Sequence, residues 1–148
     1  EVASTGQGNQ AFSVRLYLNE GLKWHNGKKL TAKDICFTID SMLDPRSTAE
    51  RSMTFKEFFK GCTVEKELQA KVEFSQVFYN PTSKLNFAVL RSTEFNSTLI
   101  LPDHIFSSRP VGSGPMKGAK GQRAATFNAH VVSSHHSPKI QKMKMLMD

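Results

Sequence analysis

Gly21-Leu22-Lys23-Trp24-His25-Asn26-Gly27-Lys28-Lys29-Leu30-Thr31-Ala32-Lys33-Asp34-Ile35 carries two punctuation marks of a fold side by side. Asn26-Gly27 after a short apolar segment is a turn signal, because both residues tolerate positive φ. Thr31 followed three residues later by Asp34 is a helix start: the hydroxyl caps a free amide of the first turn, and the carboxylate answers the Thr31 backbone N–H. Acidic charge there also suits the positive end of the helix dipole. Ile35, Ile39, Met42 and Leu43 then recur on one stripe, with Lys33, Asp40 and Ser41 expected to face away. Asp44-Pro45 ends this helix, since a residue before proline disfavours the helical region.

Outward from this centre, Phe12, Val14, Leu16 and Leu18 alternate with Ser13, Arg15 and Tyr17, which predicts a strand with one buried face. Residues 1–11 are rich in Gly, Ser, Gln and Asn and read as a leader or loop. Between Ser47 and Lys60, Phe55, Phe58 and Phe59 suit either a short helix or an apolar flap. The stretches 62–67 and 71–77 look extended around Glu67-Leu68-Gln69-Ala70, predicting a hairpin. Asn80-Pro81 opens a predicted helix with Leu85, Ala88 and Val89 as its stripe. Residues 99–102 read as a brief strand or buried loop, 124–128 and 140–147 as strands, and 131–137 as a polar loop.

Composition is that of an ordinary globular domain: 148 residues, 39% hydrophobic and 22% charged. No apolar run approaches the roughly 20 residues that a helical membrane span requires. Glu1 follows no initiator Met and no signal-like stretch, so the chain reads as the middle of a longer protein with any export signal removed or upstream. The net charge of +7 comes from scattered Lys and Arg without interleaved aromatics, which argues for a solvated basic surface and against a nucleic-acid partner. Cys36 and Cys62 lack metal-ligand spacing. They could pair in an oxidising compartment, but buried free thiols are the preferred reading.

Read in order, these pieces resemble the extracytoplasmic solute-binding proteins that include the dipeptide-, oligopeptide- and nickel-binding receptors of ABC importers. The first block is Val14 to Leu18 with Gly21 to Ile35, similar to the family's strand, Gly-aliphatic-Lys-Trp/Phe-His-Asp-Gly turn and Leu-Thr-Ala-x-Asp helix start, with Asn26 in place of Asp. Ile100-Leu101-Pro102-Asp103-His104-Ile105-Phe106 resembles its Ile-Leu-Pro-Lys-His-Ile-Phe, and Pro110-Val111-Gly112-Ser113-Gly114-Pro115-Met116-Lys117 its Pro-Val-Gly-Thr-Gly-Pro-Tyr-Lys. Met116 departs from the usual Tyr, and Asn128-Ala129-His130 with a His/Ser-rich loop replaces Asn-Pro-x-Tyr-Trp.

The resemblance implies an α/β (α+β) fold of the periplasmic-binding-protein-like, peptide-binding type, with a mixed sheet and two or three flanking helices. It implies a fragment: residues 1–109 as the domain inserted in the first of two lobes, and 110–148 as the crossing segment and strands that return to that lobe. Most of the ligand cleft would lie elsewhere, so the ligand-contacting residues are unknown. It further implies a non-enzymatic, periplasmic or extracytoplasmic receptor without a cofactor, whose partners are a peptide or other small solute and a membrane permease. The alternatives are a structural or self-associating (homo-oligomeric) module and a nickel-chelate-binding relative.

Gly21, Trp24, His25, Gly27, Thr31, Asp34, Pro102, His104, Gly112, Gly114 and Pro115 are the signature positions, read as structural. Trp24 and His25 could contact ligand, but packing and corner-fixing are the preferred roles, and His104 reads as a local cap. The Gly112-x-Gly114 turn lacks the Gly-Lys-Ser/Thr ending of a phosphate loop. His130, His135 and His136 have metal character without fixed spacing, and a solvated loop is the preferred reading. No nucleophile elbow, His-Glu-x-x-His or carboxylate pair stands out.

Overall fold

The computed structural model describes residues 2–5, 11–47, 50–119, 124–129 and 142–146. The chain divides into two compact units: residues 1–20 with 31–100, and residues 21–30 with 101–148. This partition differs from a single break after residue 109, because the 21–30 turn groups with the C-terminal part.

In the first unit, β1 (Val2–Thr5), β2 (Ala11–Tyr17), β3 (Phe59–Lys66) and β4 (Gln69–Phe78) form a sheet of order β1-β2-β4-β3, with α1 (Ala32–Leu43) and α2 (Glu50–Phe58) beside it. All pairings are antiparallel, so the expected mixed sheet is an antiparallel one within an α+β fold. The strand predicted from Phe12 forms, as does the hairpin around Glu67 and Leu68, but Phe12 is exposed and Ser13 buried, the reverse of the expected faces, where the pairing with β4 is irregular between Ala11 and Ser13. The leader, by contrast, supplies β1, whose Val2 to Thr5 pair with Leu16 to Ser13; backbone pairing at a free edge needs no apolar pattern to announce it.

Val14, Ala32, Ile35, Cys36, Ile39, Phe55, Phe59, Ala70, Val72 and Phe74 form the core of this unit. The aromatic part is ordered by ring geometry: Phe55 and Phe59 stack at 3.8 Å, and Phe87 meets both edge-on at 5.5 and 6.1 Å. Of the two readings offered for residues 47–60 the helix forms, as α2, but it holds Phe55 and Phe58 alone, since Phe59 opens β3.

Four further expectations are corrected. Cys36 and Cys62 are disulfide-bonded, not free: packing of α1 on β3 brings their Cα atoms to 5.0 Å, within the usual bridging range. Ser41 is buried rather than outward, its hydroxyl donating to Phe37 O at 2.8 Å and so satisfying itself within the helix. After Pro81 only a single 3₁₀ turn forms, Pro81–Lys84. Leu85, Phe87 and Val89 pack onto the core while Ala88 is exposed, which is a period of two, not the helical period read from Leu85, Ala88 and Val89. Residues 99–102 form no strand, and Leu101 is exposed.

In the second unit, β5 (Met116–Ala119), β6 (Ala124–Ala129) and β7 (Lys142–Leu146) make an antiparallel sheet of order β5-β6-β7. β6 and β7 fall where strands are predicted, whereas β5 continues directly out of the Gly112–Pro115 crossing. A one-turn helix, α3 (Ile105–Ser108), follows Pro102.

Candidate functional site

The signature residues divide between the two units. In the second unit, the 21–30 segment folds back on itself. Trp24 N–H donates to Lys28 O and Gly27 N–H to Trp24 O, each at 2.8 Å, and Leu30 N–H to Leu22 O at 3.0 Å. Gly21 and Gly27 sit at φ +84° and +80°, the left-handed region in which a Cβ costs roughly 1–2 kcal/mol. Trp24 is buried.

The same turn grips the Gly112–Gly114 crossing through His25. The His25 backbone N–H donates to Gly112 O at 2.8 Å. The ring Nε2 lies 2.8 Å from Gly114 O; a carbonyl only accepts, so Nε2 carries the proton. Lys117 Nζ donates to His25 O at 3.4 Å. A Cβ on Gly112 would lie 3.1 Å from His25 Cε1, so glycine is what allows the ring to lie this close. His25 thus ties the 21–30 turn to the Gly112–Gly114 crossing. Pro115 is exposed beyond it. Nearby in sequence, His104 Nδ1 accepts from Phe106 N–H at 3.2 Å and caps α3, while Ser107 Oγ donates to Pro102 O at 2.9 Å.

In the first unit, Asp34 works as the predicted cap and more. Its Oδ2 accepts from Thr31 N–H at 3.0 Å, and its Oδ1 accepts from the backbone N–H and the hydroxyl of Ser92 at 2.9 and 2.8 Å. Thr38 continues the contact: its Oγ1 donates to Asp34 O at 2.7 Å and accepts from Leu90 N–H at 2.8 Å. Phe37 stacks on Phe95 at 5.4 Å, and Asp44 Oδ2 accepts from Thr98 Oγ1 at 2.7 Å. Arg46 meets the Asp44 carboxylate with its backbone N–H, Nε and Nη2, at 2.8 to 3.0 Å. The Arg46 and Thr98 hydrogen bonds hold the Asp44 carboxyl well below the ordinary carboxylate range. Helix α1 thus fastens the irregular 90–98 segment along its length. Thr38, Ser92 and Thr98 were missed because isolated hydroxyls carry no periodic signal; the polar Thr38 between Ile35 and Ile39, on a buried stripe, was the available hint.

Among the described residues no group of three or more His, Cys, Asp or Glu is placed to hold a metal ion. His130, His135 and His136 lie outside the described residues. No helix among the described residues is long and apolar enough to cross a membrane.

Residues 8–134 match the family described as bacterial extracellular solute-binding proteins, family 5 Middle. The chain belongs to that family. A curated relative of this family-5 chain, the oligopeptide-binding protein AppA of Bacillus subtilis, is 29% identical over 124 residues, covering 74% of the chain and 21% of AppA. Among solved structures, NikZ from Campylobacter jejuni in complex with Ni(L-His) superposes with TM-score 0.83 at 19% identity, covering 99% of this chain and 29% of that one. AppA from B. subtilis with a nonapeptide gives 0.81 at 20%, covering 99% and 30%. The ABC transporter substrate binding protein CtaP from Listeria monocytogenes gives 0.81 at 22%, covering 100% and 31%. These matches cover 99–100% of this family-5 chain, which spans less than a third of the length of these relatives.

Proposed function

We propose that this chain is part of the solute receptor of an ABC importer, capturing peptides or similar small solutes outside the cytoplasm and passing them to a membrane permease. The observation that carries the reading is the family match over residues 8–134, with the same fold in the oligopeptide-binding protein AppA and in NikZ, solved in complex with Ni(L-His). The signature residues fit a framing role: His25, Gly112 and Gly114 brace a crossing, and Thr31 and Asp34 brace α1. Capture is reversible and needs no covalent step. Enclosure of the solute falls to the rest of the receptor, since closure between lobes provides it.

A ligand that binds only the folded receptor stabilises it, by about 2.7 kcal/mol at 100 times its Kd. Thermal unfolding of the full-length receptor against a panel of di- to nonapeptides is expected to give a dose-dependent rise in Tm. No rise across the panel overturns the peptide reading. The likeness to NikZ favours a second reading, a nickel–histidine chelate. A rise with nickel plus L-histidine, and with neither alone, selects it.

A further inference from the structure

The first unit holds a cleft of about 170 Å³ lined by Met42, Phe55, Phe58, Phe59 and Phe87, with Thr54, Ser83, Lys84 and Asn86 completing its lining. Its floor is the Phe55–Phe59 stack, and Phe87 stands edge-on to that stack. An inserted ring would therefore lie among the aromatic side chains of Phe58 and Phe87 and the rim of the Phe55–Phe59 stack, in the offset or edge-on arrangements rings prefer. The volume matches a single ring: an apolar cavity of about 150 Å³ accepts benzene.

The polar side of the lining is cationic. Lys84 Nζ lies 4.2 Å over the Phe58 ring and 5.4 Å from that of Phe78. Among the described residues no carboxylate pairs with Lys84, and the Thr54 and Asn86 side chains have no hydrogen-bond partner. An ammonium, an exposed amide and an exposed hydroxyl thus border the aromatic cleft, placed to donate to an anion seated there. We propose that this cleft binds a small aromatic carboxylate, its ring among Phe55, Phe58 and Phe87 and its anionic group at Lys84. The site is separate from the solute capture proposed above and does not rest on it.

The test titrates 3-phenylpropionate into the full chain, labelled with ¹³C at its methionine methyls, using 3-phenylpropylamine as the opposite-charge control. The expected result is a saturable shift of the Met42 methyl with a Kd on the order of 1 mM, as suits so small a ligand. The amine should bind at least about tenfold more weakly, since it loses a charge-assisted contact and meets a like charge. Lys84→Met should lower carboxylate affinity by a similar factor and leave the amine no weaker. Asn86 is exposed, so Asn86→Phe is expected to fold, fill the mouth and abolish the shift. Three results overturn the proposal: no saturable Met42 shift in a folded sample, equal affinity for acid and amine, or an Asn86→Phe chain that changes oligomeric state. The last would assign the cleft to a second copy.

Discussion

Asp44 shows how much one carboxylate can be made to hold. It accepts from Arg46 three times and from Thr98 once, and these bonds favour its ionised form in the folded state. Because the folded pKa lies below the unfolded one, the linked stability is complete above about pH 4 and drains away as pH falls toward the folded value. Denaturant midpoints measured between about pH 6 and pH 2 should therefore fall more steeply for the native chain than for Asp44→Asn, and parallel curves would refute the linkage. Gly112 offers a second test at this scale. Gly112→Ala pushes a methyl to within 3.1 Å of the His25 ring and should cost on the order of 1 kcal/mol. In a His25→Ala background most of that cost should vanish, which a double-mutant cycle reads directly. The Thr31–Asp34 cap was legible in the sequence because its two residues are three apart. The Asp34–Ser92 bonds, separated by 58 residues, were not, for no local pattern marks the partner.

Among the elements, α1 carries the most connections. The Cys36–Cys62 bridge ties it to β3 across 26 residues, and its polar face holds the 90–98 segment. Replacing both cysteines by serine should lower unfolding free energy by about 3–4 kcal/mol, the loop-closure value for this separation, as measured by urea titration under non-reducing conditions. An unchanged midpoint would mean the bridge constrains nothing. Element existence was readable wherever periodicity was strong, as in α1 and β2. It failed at 85–89, where Leu85, Phe87 and Val89 point inward with a period of two but Ala88 lends the pattern a helical look. It failed for the cysteines as well, since pairing depends on the packing of helix on strand, which spacing in the chain does not encode.

For the molecule as a whole, the order of motifs along the chain was enough to read the fold class and the family, while the arrangement of sheets was not. Each sheet is antiparallel, and strand alternation alone does not distinguish that from a mixed one. The grouping of residues 21–30 with 101–148 has a consequence for how the protein is made. On a ribosome the chain emerges in order, at about 5–20 residues per second, so His25 appears roughly 4–17 s before Gly112, its backbone partner. Throughout that interval Trp24 and the double-glycine turn must wait outside the tunnel without the crossing they are shaped to hold. The turn meets its backbone partner at Gly112 only after residues 31–100 have been made.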